Sequence, residues 1–236
     1  MRRPLLTLLS VTAVVALPGC AFGVAERARF LASTSATVDG SLHSQLTGPG
    51  GVGVRYFYEY GETTGYGTRF GFGSVAINQP GAGYGIATKL TGLEPGTTYH
   101  YRLCASDQEN AGNPMCSADV TFTTPTTTGP YLTLVPLCNA PTGLAEGVDI
   151  TGTGFPVSPP TGPLYIGSEL SRDGGPFQPS GSGLANSDGE LNVGGTWDDR
   201  GEVHVWDVRT FLDPNFNASQ DPGEQLLATG HYEEHC

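Results

Sequence analysis

The sequence has little charge and, after its first twenty residues, no sustained helical pattern of apolar residues. Only 14% of its 236 residues are charged, whereas it contains 35 glycines and 18 prolines. Glycine and proline are unfavourable in helix interiors and common in turns, and the frequent threonine and tyrosine favour strands. The composition therefore predicts an all-β protein rather than a helical one.

Familiar catalytic motifs are missing as well. No serine lies in a Gly-x-Ser-x-Gly elbow, and no cysteine is left over as a nucleophile once the pairings described below are made. The carboxylates of the C-terminal half show no spacing typical of a glycosidase pair. We therefore expect a protein that is not an enzyme.

The first nineteen residues have the pattern of a targeting signal. Arg2 and Arg3 precede an apolar run over residues 5–17 that is too short to anchor the chain in a bilayer. The run ends in Leu-Pro-Gly-Cys, which resembles the lipobox of bacterial lipoproteins. The resemblance implies that Cys20 becomes the lipid-modified first residue, on the extracellular side of the bacterial cell membrane. The alternative is ordinary secretion, with cleavage near Ala21.

The cysteine count fits an exported lipoprotein. Five cysteines leave one unpaired, and a lipid on Cys20 leaves four for two disulfides. Cys104 and Cys116 are close in sequence and face each other across a predicted hairpin. Cys138 and Cys236 bracket the C-terminal part, although a free Cys236 is the alternative.

Acidic residues are concentrated in the C-terminal part of the chain. From residue 126 onward there are 15 acidic residues and only three basic ones, whereas residues 20–125 contain eight and six. A strongly acidic module repels nucleic acid and anionic lipid. We therefore expect no nucleic-acid partner, and the charge itself is typical of a solubilising surface.

Residues 30–125 contain the patterns of a first module. Alternation over residues 54–60 predicts a strand with large apolar side chains on one face, and Pro95-Gly96 followed by Tyr99 predicts a tyrosine corner, whose hydroxyl group bonds to the backbone upstream. With Gly-Tyr-Gly at 65–67 and Phe-Thr-Thr at 122–124, these motifs resemble bacterial fibronectin type III-like domains. The resemblance implies a β-sandwich of the kind used as a spacer or adhesive module.

The remaining residues predict a second module. Strand-like runs alternate with turn signals such as Gly-Thr-Gly-Phe-Pro at 152–156 and Asp188-Gly189, and this order resembles immunoglobulin-like modules of bacterial surface proteins. The predicted organisation is two tandem β-sandwiches: a signal peptide (1–19), a tether (20–29), a fibronectin type III-like domain (30–125), a linker (126–130) and an immunoglobulin-like domain (131–236).

One acidic loop has the spacing of a calcium site. Oxygen-bearing side chains fall at positions 1, 3, 5, 7, 9 and 12 of an EF-hand register, although Ala218 replaces the turn glycine and no helices flank the loop. An Asx-rich turn between two strands explains the same residues. The candidate ligands are Asp213, Asn215, Asn217, Ser219, Asp221 and Glu224.

These features predict a non-enzymatic, lipid-anchored surface protein that acts as a spacer, an adhesion module or an envelope-interaction module. Its membrane contact is the lipid on Cys20, and its protein or glycan partner is unknown. A carbohydrate-binding accessory protein is the first alternative, with Trp197 as the candidate contact because it lies beside two aspartates. A calcium-stabilised surface module is the second alternative, and no other cofactor is expected.

Overall fold

The computed structural model of the protein describes residues 20–46, 50–108, 111–138, 145–197 and 204–233, and they form strands and turns. Among these residues no helix is long and apolar enough to cross a membrane. The prediction of an all-β protein is confirmed. The signal peptide predicted for residues 1–19 lies outside the described residues.

Sixteen strands are found in the described residues. They are β1 (Phe22–Ala25), β2 (Arg29–Ala32), β3 (Ser35–His43), β4 (Val52–Gly61), β5 (Thr68–Ile77), β6 (Tyr84–Thr91), β7 (Thr98–Ser106), β8 (Met115–Cys116), β9 (Val120–Thr123), β10 (Tyr131–Cys138), β11 (Ala145–Thr153), β12 (Ile166–Arg172), β13 (Gln178–Gly183), β14 (Leu191–Trp197), β15 (Val205–Leu212) and β16 (Leu226–Glu233).

The first nine strands form one hydrogen-bonded sheet that folds over its own core. Its order is β2-β3-β1-β8-β7-β4-β5, with β6 paired to β3 and β9 paired to β7. The alternation predicted for β4 is observed, because Val54 and Tyr58 are fully buried and Arg55 between them is exposed. They pack with Leu42 of β3 and Leu103 of β7 in a single core cluster.

Two local predictions about the first nine strands are confirmed. Tyr99 accepts a hydrogen bond on its hydroxyl group from the backbone N–H of Glu94, at 2.9 Å, which is the predicted tyrosine corner. Cys104 and Cys116 are directly opposite each other in the β7–β8 register and form a disulfide. The disulfide closes the loop that separates the two strands.

The remaining seven strands form two smaller sheets around a second core. The orders are β10-β11-β14 and β13-β12-β15-β16, and all pairings are antiparallel. Val148 and Ile150 of β11 pack in one cluster with Ile166 of β12 and Val208 of β15. The acidic C-terminal part is therefore a β unit with its own core.

The observed strands begin earlier than the predicted first domain does. Residues 22–25, assigned from the sequence to a tether, form β1 and pair with residues 40–43 of β3. The neighbouring Ala21 is completely buried. Glycine and proline signals mark turns, but they do not reveal a short strand such as β1, whose partner lies at least fifteen residues later in the chain. The first domain was therefore predicted to begin several residues too late.

Candidate functional site

The face of β4, β5 and β7 that points away from the core carries an unusual set of charged and aromatic side chains. Alternation along β4 places Arg55, Phe57 and Glu59 on this face. Glu59 is directly opposite Arg69 of β5 and Arg102 of β7 in the two strand registers. We call this surface the outer face; it comprises Arg55, Phe57, Glu59, Arg69, Phe72 and Arg102.

Glu59 is held between two arginines at the centre of the outer face. It is only 9% exposed. Its Oε2 accepts hydrogen bonds from Nε and Nη2 of Arg102 at 2.8 and 2.6 Å, and its Oε1 accepts one from Nε of Arg69 at 2.8 Å. Burial raises the pKa of Glu59, but the hydrogen bonds from the two guanidinium groups outweigh this effect and the pKa is lowered. The carboxylate therefore stays ionised and fixes both guanidinium groups in place.

The β4–β5 hairpin loop encloses a polar cleft next to this ion-paired group. The ring of Tyr66 lies 4.5 Å from the Arg102 guanidinium carbon, and its hydroxyl group donates to Oδ1 of Asp119 at 3.0 Å. A Cβ atom at Gly61 would lie 1.7 Å from the Tyr66 carbonyl oxygen, so only glycine permits this close approach. The resulting cleft has a volume of about 330 Å³ and is lined by Glu59, Thr64, Gly65, Tyr66, Gly67, Thr68, Arg69 and Arg102.

An aromatic pair adjoins the cleft on the same face. The rings of Phe57 and Phe72 are stacked, with centroids 5.6 Å apart and planes 28° apart. The Arg69 guanidinium carbon lies 4.8 Å from the Phe57 ring centroid, so Arg69 connects the cleft to the aromatic pair. Phe72 is 69% exposed. The outer face thus presents fixed cations and a flat apolar surface side by side.

A disulfide lies close to Glu59 and removes one metal-binding interpretation. In the described residues, the ligand atoms of Glu59, Cys104 and Cys116 are within 4.8 Å of one another. The two cysteine sulfurs are bonded to each other, and a metal ligand must be a free thiolate. The disulfide therefore links β7 to β8 next to the outer face.

The predicted calcium loop is organised around its first residue. Asp213 is completely buried. Its Oδ1 accepts the backbone N–H of Asn217 at 3.1 Å, and its Oδ2 accepts the N–H of Ala218 at 3.0 Å and the hydroxyl group of Ser182. Burial raises the pKa of Asp213, but these hydrogen bonds outweigh that effect and the pKa is lowered. The carboxylate is thus engaged within the protein on both oxygens.

The other candidate calcium ligands lie along the same loop. Oδ2 of Asp221 accepts the side-chain amides of Asn215 and Asn217 at 2.7 and 3.0 Å. The N–H of Ser219 bonds to Oδ1 of Asn217, and Glu224 accepts the N–H of Asp221 on Oε2. Oε1 of Glu224 is buried with no hydrogen-bond partner among the described residues. The structure brings the predicted ligands together in an Asx-rich loop, and calcium binding stays a prediction.

Other predicted site residues fall partly outside the described structure. Cys20 is present as a partly exposed free cysteine next to β1. Cys236 and the side chains of Cys138 and Trp197 lie outside the described residues, so the second disulfide and the tryptophan contact stay predictions.

The two β units meet at a polar junction. The N–H groups of Phe30 and Leu31 in β2 donate to the hydroxyl groups of Thr151 and Thr133 at 3.3 and 3.2 Å. The hydroxyl group of Thr153 donates to the carbonyl oxygen of Leu31 at 2.6 Å. All three threonines are buried. Strand β2 therefore belongs to the first sheet and also contacts β10 and β11 of the second unit.

Ion pairs add to this junction on either side. Lys89 of β6 contacts Asp188 and Glu190 of the second unit at 2.8 and 2.7 Å. Arg29 pairs with Asp39 and lies 3.9 Å from Asp149. Burial raises the pKa of Asp149 and Arg29 partly offsets the effect. An open groove of about 760 Å³ runs beside Arg29, Asp39 and Asp149.

Sequence reasoning missed the outer face and the junction. The alternation of β4 already placed Arg55, Phe57 and Glu59 together, which was the available signal. The register between β4 and β5 could not be predicted, because an irregularity between Tyr56 and Tyr58 shifts the pairing of the two strands by one residue. Without that register, no pattern brings Phe72 next to Phe57.

Comparisons with known proteins identify no family for this chain. No family model matches the sequence, and a search of curated proteins finds no match. Among solved structures, the sensor domain of the anti-sigma factor RsgI4 in Pseudobacteroides cellulosolvens is similar over 45% of this chain and 96% of that chain, at 18% identity and a TM-score of 0.34.

Two further solved structures are similar at the same low level. A solution structure of the RsgI4 sensor domain covers 44% of this chain and 74% of its own, at 21% identity and a TM-score of 0.33. Red sea bream transglutaminase matches 90% of this chain with 30% of its own, at 11% identity and a TM-score of 0.30. At these TM-scores, none of the three indicates what this chain does.

Proposed function

We propose that this protein is an exported, non-enzymatic surface lipoprotein whose two β units form one stiff spacer or adhesion element. The observation that supports the proposal best is the junction at β2, where buried threonine hydroxyl groups bond directly to the backbone of the first unit. These bonds add to the linker in favouring one arrangement of the two units. The Cys104–Cys116 disulfide supports export, since disulfides persist in oxidising compartments.

Mass spectrometry of the mature protein tests the lipoprotein part of the proposal. The expected product begins at Cys20 and carries acyl groups, and it separates with the membrane fraction. A Cys20→Ser variant should lose the acyl mass and leave that fraction. A wild-type product that begins after Cys20 contradicts the lipid anchor and supports ordinary secretion.

Small-angle X-ray scattering tests the stiffness of the two units. The wild-type chain should give a single compact scattering profile, and a Thr133→Val, Thr151→Val double variant should give a larger radius of gyration. Thr229→Val, an exposed threonine on β16, is the matched control. Equal profiles for the wild type and the double variant contradict a junction held by these hydroxyl groups.

Carbohydrate binding is the second candidate function, and one observation favours it. Phe72 is a strongly exposed aromatic side chain on a strand, next to the fixed guanidinium group of Arg69. Binding of the full chain to a panel of immobilised glycans tests this candidate, and binding to none of them counts against it.

A further inference from the structure

The outer face exposes apolar surface that the fold does not require. Among the large apolar side chains of the described residues, Phe72 is the most exposed. It contributes its ring to no core cluster and stacks on Phe57, which is itself on the solvent side of β4. Aromatic rings of this kind supply a rigid, flat contact surface at low entropic cost. The pair is therefore suited to contact a ligand.

The arginines beside this pair are oriented in advance. Arg69 uses its Nε–H to contact Glu59, and its side chain is 63% exposed. A guanidinium group has five N–H donors in a fixed plane, so those on the Nη atoms of Arg69 remain available for a ligand. Guanidinium groups bind carboxylates in bidentate geometry. Glu59 thus positions Arg69 for an anionic group without occupying its whole donor set.

The cleft provides the space for one small polar group next to Arg69. Its volume of about 330 Å³ is at the lower end of the range for ligand pockets, roughly 300–1,000 Å³. Its walls include Thr64, Thr68 and the backbone of the glycine-containing hairpin loop, which offer hydroxyl and peptide groups for hydrogen bonds. A sugar with several hydroxyl groups suits such walls better than an apolar ligand does.

We infer that the outer face binds an acidic carbohydrate, with a uronic-acid carboxylate against Arg69 and a sugar ring against Phe72. Arg69 contacts both the cleft and Phe57, and Phe57 contacts Phe72, so a short oligosaccharide reaches all of them. The inference rests on the second candidate function, carbohydrate binding, and specifies its site and ligand class. It is independent of the lipid anchor.

The structure favours a carbohydrate over an added peptide strand or a second copy. Although β5 is at the edge of its sheet, Gly71 has a φ of +63° and marks the irregularity in its pairing. Such a bulge interrupts the hydrogen-bond ladder that an added strand needs. A net charge of −12 makes copies of the chain repel each other. The same charge repels an anionic ligand at long range, where salt screens it, whereas the ion pair with Arg69 is a direct contact.

Titration calorimetry with the purified full chain tests the inference. The probes are oligosaccharides of galacturonate, alginate and hyaluronan, together with methyl-esterified galacturonate and an oligoglutamate peptide. At least one acidic oligosaccharide should bind, and its esterified or uncharged counterpart should bind at least about tenfold more weakly. Added salt should weaken the binding.

Matched variants locate the site. Arg69→Gln and Phe72→Ser should each weaken binding about tenfold or more, whereas Arg172→Gln and Tyr84→Ser, which change an exposed arginine and an exposed aromatic elsewhere, should bind like the wild type. Arg69→Gln leaves the Arg102–Glu59 pair in place, and unchanged thermal unfolding of each variant confirms an intact fold.

Several results overturn the inference. They are wild-type affinity in Arg69→Gln and Phe72→Ser, equal binding of oligoglutamate, and no binding of any acidic oligosaccharide. If neutral glycans bind and neither Arg69→Gln nor Phe72→Ser changes their affinity, the protein binds carbohydrate at a site other than the outer face. If no glycan binds, both the carbohydrate-binding function and the proposed site are wrong.

Discussion

Substitution of Asp213 tests whether the 213–224 loop is held by its own hydrogen bonds or by calcium. Asp213→Asn keeps the size of the side chain and replaces one acceptor oxygen with an NH₂ donor. In the native loop both oxygens accept, one from Asn217 and the other from Ala218 and Ser182. In the variant the new NH₂ group therefore faces a donor of the loop at one of these two positions, and the negative charge of the side chain is lost.

The contacts give the expected magnitude. A buried donor left without an acceptor costs about 1–3 kcal/mol, and hydrogen bonds to a charged group exceed neutral ones by about 1 kcal/mol each. The two hydrogen bonds that the remaining oxygen of Asn still accepts therefore weaken by about 2 kcal/mol together. Relaxation of the exposed parts of the loop offsets some of the combined loss of stability. We expect Asp213→Asn to lower the free energy of unfolding by about 3 kcal/mol.

Urea denaturation followed by tryptophan fluorescence measures this effect, with chelator and then with calcium. Asp221→Asn is the control, because Asp221 accepts only side-chain amides in the exposed part of the loop and should cost less than about 1 kcal/mol. If internal hydrogen bonds hold the loop, the loss in Asp213→Asn is the same in both media. A wild-type stability that rises with calcium, and a rise that both variants abolish, supports the calcium site instead. A loss below about 1 kcal/mol with chelator refutes the structural role given to Asp213.

The pH dependence provides a second test of the same residue. The pKa of Asp213 is lowered in the folded chain, so its contribution to stability is present above its unfolded pKa, near 4, and is lost as the pH falls through the folded value. The wild type should lose stability over this acidic range. Asp213→Asn should show a correspondingly smaller loss.

Three other substitutions have defined outcomes. Cys104→Ser with Cys116→Ser should lower the free energy of unfolding by about 3 kcal/mol in urea denaturation, and wild type treated with a reductant should match the variant. Thr151→Val should cost about 1 kcal/mol and speed hydrogen exchange at the Phe30 amide, since that N–H loses its acceptor. Glu59→Gln should cost about 2 kcal/mol at neutral pH, because two guanidinium groups lose their shared carboxylate. The lowered pKa of Glu59 means that this difference should shrink as the pH falls through the folded pKa, and a difference that grows in acid contradicts the ion-paired cluster.

The parts of the fold that depend on local pattern were predictable from the sequence. Alternation identified the buried face of β4, and a turn followed by Tyr99 identified the corner in which its hydroxyl group meets the Glu94 N–H. The Cys104–Cys116 disulfide followed from cysteine parity and from strand phase across one hairpin. Each of these features involves residues fewer than about fifteen positions apart, where chain geometry restricts the alternatives.

The parts that depend on register and on long-range contacts were not predictable. Arg102 meets Glu59 only because β7 pairs with β4 in one particular register across 43 residues. The alternation indicated which face each side chain occupies, but a shift of the strand pairing would bring different residues opposite one another. The burial of Asp213 could not be predicted for a similar reason. Its partner Ser182 is in β13, 31 residues earlier in the chain, and local patterns do not reveal that contact.

The junction shows why a division into modules by composition describes this chain incompletely. Strand β2 is partly buried along its whole length, because one side pairs with β3 and the other contacts β10 and β11. Three of the contacts to the second unit are hydrogen bonds of threonine hydroxyl groups. These hydroxyl groups satisfy N–H and C=O groups of Phe30 and Leu31, two residues of β2 that are not paired with β3. The arrangement of the two units therefore depends on unpaired backbone groups of β2 and on the ion pairs beside them, which a division of the sequence at a linker does not reveal.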